Sequence, residues 1–187
     1  MDVYRIVIWL SLLLLIGMTP LDVAAQASSP TNGPKTIYIP HILFQPIIAY
    51  QLNTEETALE QLLLTYPGQQ RPTLIMDATL AQVARQHAED MANRNYCSHT
   101  NPDGYGPNYL VRAAGYPLPA EYSTSNRGNN IESIGCGHET AQAVWDQLIN
   151  SDAHERHLLG QSDMYRQQIE YGIGFAYRQG STYEYHW

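Results

Sequence analysis

Three short stretches hold the residues of this chain that could do chemistry. The first, Asn95 to Gly106, reads NYCSHTNPDGYG and carries Cys97, then His99, then a turn signal. The second, IGCGHETAQ, repeats that spacing with Cys136 and His138. The third, NSDAHERHLLG, brings His154 and His157. Thiolates with imidazoles are the donors of a structural zinc site, two thiols can make a disulfide, and imidazoles with water can make an open metal site. A zinc cage from Cys97, His99, Cys136 and His138 has suitable ligand types. Its spacing is too tight, because paired ligands in such sites usually stand roughly two to four residues apart. A Ser-His-acid triad is hard to build: no G-x-S-x-G stretch occurs, and Ser98 is only the chain neighbour of His99. A nucleophilic Cys97 would need a free thiol. His99 and His154 remain as a candidate pair for one divalent metal, with water completing the shell. Without a carboxylate such a pair holds metal loosely. The plain alternative for each is a hydrogen-bonding residue at a helix end.

The elements that must carry these residues are legible. DATLAQVARQHAEDMANRN predicts the strongest helix, with Asp77 as N-cap and Leu80, Val83, Ala84, His87, Ala88 and Met91 along one apolar stripe. His87 on that stripe reads as a core histidine with its ring nitrogens hydrogen-bonded, rather than as a ligand. The helix ends just before Cys97, so His99 leaves a rigid element and enters a turn. NTEETALEQLLLTYPG predicts an earlier helix, capped by Asn53 with Glu56 in the capping-box position and striped by Leu59, Leu62, Leu63 and Tyr66. GPNYLVRAAGY predicts a short helix from Pro107 to before Gly115. HETAQAVWDQLINS predicts another, with Val144, Trp145 and Leu148 facing inward, and SDAHERHLLG adds a last turn of helix between Ser151 and Gly160. NNIESIG reads as a short strand. IEYGIGFAY and TYEYHW alternate about a turn at RQGS and read as a hairpin. The small face made by Gly172, Gly174 and Ala176 would let another backbone lie close. Helices first and a hairpin last predict an α+β fold.

Ahead of all this stands the apolar run Ile6 to Met18, then Ala25-Gln26-Ala27, which fits a secretory leader cut before Ser28. The run falls short of the roughly 20 apolar residues that span a bilayer. A retained N-terminal anchor is the alternative. Residues 28–51 read as a linker or extended segment cut by Pro40 and Pro46. The chain carries a net charge of −8 and stays acidic without its leader. It therefore repels phosphate backbones, and neither nucleic acid nor an anionic membrane surface is expected as a partner. Export would place Cys97 and Cys136 where an even cysteine count reads as a disulfide.

From Leu80 onward the chain resembles the CAP superfamily (the SCP-like domain of cysteine-rich secretory, antigen 5 and plant pathogenesis-related proteins), in its bacterial secreted form. The resemblance rests on order. LAQVARQHAEDMANRNYCSHTNPDG looks like the family's helix and S-H-T turn, and AAGY follows. GNNI stands where the family writes Gly-Glu-Asn-Ile. AVWDQLINSDAHERHLLG is similar to the bacterial Trp…Ser-x-x-His-Arg stretch, with a longer gap and with Glu155 before Arg156. YGIGFAY and YEYHW look like the closing strands.

The resemblance implies a three-layer α-β-α sandwich over residues 52–187. It also implies a cleft that holds two histidines and two acids and binds zinc in some members. By motif the histidines are His99 and His154. The motif glutamate falls on Asn129, and an amide is neither a general base at neutral pH nor a good zinc ligand. Glu132 lies close by, but alternation from Asn130 does not aim it at the cleft. His138 is then expected at the surface near a helix start. The expectation is a secreted, non-catalytic domain whose cleft binds a lipid, cell-wall fragment, peptide or weakly held metal. Tyr105, Tyr109, Tyr116 and Tyr122 are candidates to line it. The alternative is a metal-dependent hydrolase of an extracellular peptide, lipid or cell-wall substrate. A carboxylate within reach of the space between the histidines would discriminate the two.

Overall fold

The computed structural model describes residues 50–187. The expected leader, the apolar run and nearly all of the linker lie outside them.

Helix α1, Thr54–Thr65, begins with the predicted capping box: Asn53 accepts from the Glu56 N–H at 2.8 Å, and Glu56 accepts from the Asn53 N–H at 2.9 Å. Glu56 is fully buried, and its charge is met by Arg85. Helix α2, Ala78–Arg94, starts at Asp77, whose side chain accepts from the Leu80 N–H. It stops at Asn95, which turns left-handed with φ 62°. Arg85 also reaches back to the Gln51 carbonyl and stacks over the Tyr50 ring, so the described end of the linker lies on α2.

Helices α3, Pro107–Ala113, α4, Ala141–Ile149, α5, Asp152–Leu158, and α6, Asp163–Arg166, follow. The first three stand where the sequence placed them, and the Ser151 side chain makes no cap hydrogen bond to α5. Helices α1 and α4 meet across a core that includes Leu63, Trp145, Leu159 and Ile173, with Tyr66 edge-on to Trp145 at 5.3 Å. Each such apolar side chain contributes roughly 1.5–3 kcal/mol by leaving water.

The strands depart from expectation. Instead of two long alternating strands there are four pieces: β1, Ile75–Met76, β2, Glu170–Tyr171, β3, Ala176–Tyr177, and β4, Tyr185–His186. β1 pairs parallel with β2, and β3 pairs antiparallel with β4. Between β2 and β3 the backbone has other partners. The Phe175 N–H donates to the Glu56 carboxylate at 3.1 Å. A Cβ added at Gly172 would come within 2.2 Å of the α2 backbone at Leu80 and Ala81, and one at Gly174 within 2.2 Å of it at Ala84 and Arg85. The small face does let a helix lie close, but that contact displaces strand pairing. We expect Gly172→Ala to lower stability by about 2 kcal/mol through overpacking. A urea melt identical to the parent's would refute it.

NNIESIG is not a strand either. Past it, Cys136 bridges to His186, and Gly135 exchanges two backbone hydrogen bonds with Trp187. Cys97 and Cys136 are joined as a disulfide across 39 positions. The described chain is α+β, and none of its helices is long and apolar enough to cross a membrane.

Candidate functional site

The site is organised by a carboxylate that alternation did not aim. Asn129 closes a turn on itself: its Oδ1 accepts from the N–H groups of Ile131 and Glu132 at 3.1 and 2.9 Å, and its Nδ2 donates to the Glu132 carbonyl. Asn130 pins the turn to the scaffold. It exchanges hydrogen bonds with Asn108 of α3, which is fully buried, and accepts from the Ser123 N–H. An irregular turn held at both asparagines has no two-residue period, so Glu132 points inward. Its Oε2 lies 2.7 Å from His87 Nδ1, and its Oε1 lies 2.8 Å from His99 Nδ1.

An ionised carboxylate only accepts, so both rings donate from Nδ1. Burial opposes the charge on Glu132, but the two imidazoles outweigh it and hold its pKa below the usual carboxylate range. Burial likewise opposes a charge on His87, and Glu132 with Asp90 outweighs that, so the His87 pKa is raised. His87 is 4 % exposed. The core-histidine expectation is met at Nδ1, which bonds to Glu132, while the buried Nε2 lacks a hydrogen bond of good geometry.

His154 sits on α5, and its pKa is lowered by burial and by the charge of His99. His154 therefore stays neutral at physiological pH. Asn129 acts on this region through Glu132, since its own side chain is engaged in the turn. Among the described residues, no three His, Cys, Asp or Glu side chains gather as a metal cage. His138 contributes its backbone carbonyl to the Trp187 indole N–H at 2.7 Å. Of the tyrosines, Tyr105 and Tyr109 stack on each other at 4.2 Å, Tyr116 bonds to Glu170, and Tyr122 is buried with Gln168 on its hydroxyl. Tyr116, Tyr122, His87 and Glu132 all line an inner cavity of about 660 Å³.

His157 also lines this cavity, and the sequence reading gave it no role. Its Nδ1 lies 2.7 Å from Ser133 Oγ, and its ring packs on Tyr165. Burial, then the charge of Arg71, pushes its pKa down to about 4. A histidine depressed on folding leaves the unfolded chain binding the extra proton between roughly pH 6.5 and pH 4. Stability should therefore fall across that window as pH falls, by on the order of 3 kcal/mol. In urea melts at pH 7 and pH 4.5, His157→Gln should lose less stability than the parent. Equal losses would show that the ring takes its proton in the native state.

One signal for Glu132 did lie in the sequence. It is the only acid between Glu121 and Glu139, and it follows an asparagine pair in a polar loop.

Residues 67–187 match the model of the cysteine-rich secretory protein family, CAP. The chain is similar to the uncharacterized protein YkwD of Bacillus subtilis (strain 168), with 29% identity over 86 residues, covering 46% of this chain and 30% of that protein. Among solved structures it is similar to an extracellular protein containing a SCP domain from Bacillus anthracis str. Ames. There the identity is 22% and the TM-score 0.43, with coverage of 62% of this chain and 32% of the other. The matches thus span about a third of the length of each relative.

Proposed function

Because the chain belongs to the cysteine-rich secretory protein family, we propose that it works outside the cytoplasm as a ligand-binding CAP domain, residues 52–187, that takes a divalent metal weakly through His99 and His154. Export on a leader ending at Ala27, a linker over 28–51 and the three-layer α-β-α arrangement belong to the same proposal. Intact mass of the exported protein beginning near Ser28 would support it, and a protein found only in the cytoplasm would not.

The observation that carries the metal reading is the hydrogen bond from His99 Nδ1 to Glu132 Oε1. A metal-binding histidine commonly gives its other ring N–H to a carboxylate, which fixes the tautomer and makes the free nitrogen more basic. His99 is thereby left with a lone pair on Nε2. His154, held neutral, offers a second lone pair. Two imidazoles with no carboxylate in direct contact make a weak site, with water in the remaining positions. Zinc bound there would supply Lewis-acid polarisation of a ligand oxygen. The hydrolase alternative is weaker, because both Glu132 oxygens already accept from imidazoles and its pKa is depressed, which makes it a poor base for water.

Calorimetric titration with zinc tests the site. We expect binding that weakens as pH drops below roughly 6.5, since protons compete for imidazole. It should be lost in His99→Ala and in His154→Ala. If both variants bind as the parent does, the two histidines are helix-end hydrogen bonders and the metal reading fails.

A further inference from the structure

The inner cavity meets solvent where its lining residues are exposed. Those are Pro119, Glu121, Gln167, Ile169 and Glu170; the rest of the lining is half-buried or buried. All five fall in two segments, 116–122 after α3 and 164–170 from α6 to β2. The mouth of the cavity therefore lies between these segments. Side-chain hydrogen bonds cross it from one segment to the other. At the inner end Gln168 Nε2 donates to Tyr122 Oη at 2.9 Å, and Tyr122 is buried. At the outer end the Tyr116 hydroxyl donates to the carboxylate of Glu170, which is exposed.

The first segment is anchored unevenly. At its far end Arg112 of α3 donates to the carbonyls of Tyr122 and Ser123 at 3.1 and 2.8 Å, and Asn108 donates to Ser123 as well. Near its start, Pro117 and Pro119 have no N–H to give, and Gly115 stands in open space with φ 89°. Tyr116 lies between that glycine and a proline, and its bond to Glu170 draws this end across the mouth. The cavity behind it holds about 660 Å³, within the roughly 300–1,000 Å³ of small-molecule sites, and Val83, Met91, Val111 and Trp145 give it apolar walls. The charged residues of the mouth, Glu121 and Glu170, are both acids. Inside, Arg71 is committed to Gln69 and to the carbonyls of Leu158 and Gln168, and His87 to Glu132. Like charge at the entrance turns away an anionic head.

We propose that this mouth admits an uncharged apolar molecule to the cavity, and that the Tyr116–Glu170 hydrogen bond is its latch. This rests on the ligand-binding function proposed above. A latch that is closed over both the empty and the filled cavity slows entry and exit alike, so it sets rates and leaves affinity unchanged. Loss of a wall contact acts differently: it raises the exit rate and weakens binding. A surface hydrogen bond with no gating role moves neither rate.

The test uses the full chain and N-phenyl-1-naphthylamine, an uncharged apolar fluorophore, in stopped flow. Quenching of Trp145 and Trp187, which line the cavity, reports its arrival. A chelator is present throughout, so the outcome does not depend on the metal site. Saturable binding at one site is expected. Entry and exit rates should both rise on the order of tenfold in Tyr116→Phe and in Glu170→Ala, the factor expected for a hydrogen bond to a charged group. The double variant should be no faster than either single one, because each removes the same bond. The anionic counterpart 1-anilino-8-naphthalenesulfonate should bind the parent more weakly, and Glu121→Gln should narrow that gap. A sulfonate that binds as tightly as the neutral dye overturns the ligand class. Rates in both latch variants equal to the parent's overturn the latch and leave a ligand site standing. Absence of saturable binding by the parent overturns the cavity site itself, and zinc titration still decides the metal reading separately.

Discussion

Exchanging Cys97 and Cys136 together for serine should lower the free energy of unfolding by about 4 kcal/mol, the loop-closure value for cysteines 39 positions apart. The effect lies mostly in the unfolded chain, which gains freedom when the loop is no longer closed. In the native state the bridge ties the segment after α2, which carries His99, to the segment paired with β4. Urea melts of the wild type with and without reductant should therefore differ as the parent and the double variant do. Coincident midpoints in all of these would mean that the bridge contributes nothing.

Removal of Glu132 should cost as much. The carboxylate is shared by two imidazoles, one of them deeply buried, and loss of one partner of a buried pair typically destabilises by about 3–5 kcal/mol. The sign of its pH dependence follows from two shifts in opposite directions. The His87 pKa is raised on folding, so its contribution is present below its ordinary value near 6.5 and is lost as pH rises through the native value. The Glu132 pKa is lowered, so its contribution is present above its ordinary value near 4.5 and is lost as pH falls through the native value. The gap between wild type and Glu132→Ala should be widest between these two values and should shrink at alkaline pH. Guanidinium melts at pH 5.5 and pH 8.5 would measure it. A gap that does not change with pH would show that His87 is uncharged in the native state.

The helices were legible because their signals are local. The Asn53 capping box, the Asp77 cap and the apolar stripe of α2 each act within a few residues, and each formed as expected. The disulfide was legible from cysteine number and expected compartment. Strand extent was not, because pairing competes with contacts made far along the chain: Glu56 takes the Phe175 N–H, and α2 presses on Gly172 and Gly174. β1 was missed for a related reason, since two residues carry no period and Ile75 acquires its partner from Glu170. The site divides in the same way. His99 and His154 were picked out by motif, and their pairing in one site is the proposal made above. Glu132 was set aside because alternation was applied to a segment that is a turn, shaped by Asn129 and by Asn108 on another helix. His157 drew no attention because its hydrogen-bond partner, Ser133, is distant in sequence and meets it only in the fold.

The Cys97–Cys136 bridge has a consequence for survival among proteases. Residues 117–127, between α3 and the Glu132 turn, are mostly exposed and lie inside the loop that the bridge closes. Exposed loop segments are where proteases cut. A single clip there would leave two polypeptides, one carrying His87 and His99, the other carrying Glu132, Ser133, His154 and His157. The sulfur link would keep them as one particle, and the buried contacts around Asn108, Asn130 and Glu132 could hold the halves in register. A nicked molecule would then migrate as one species until reduced, and Glu132 would still meet His87 and His99 across a gap in the main chain.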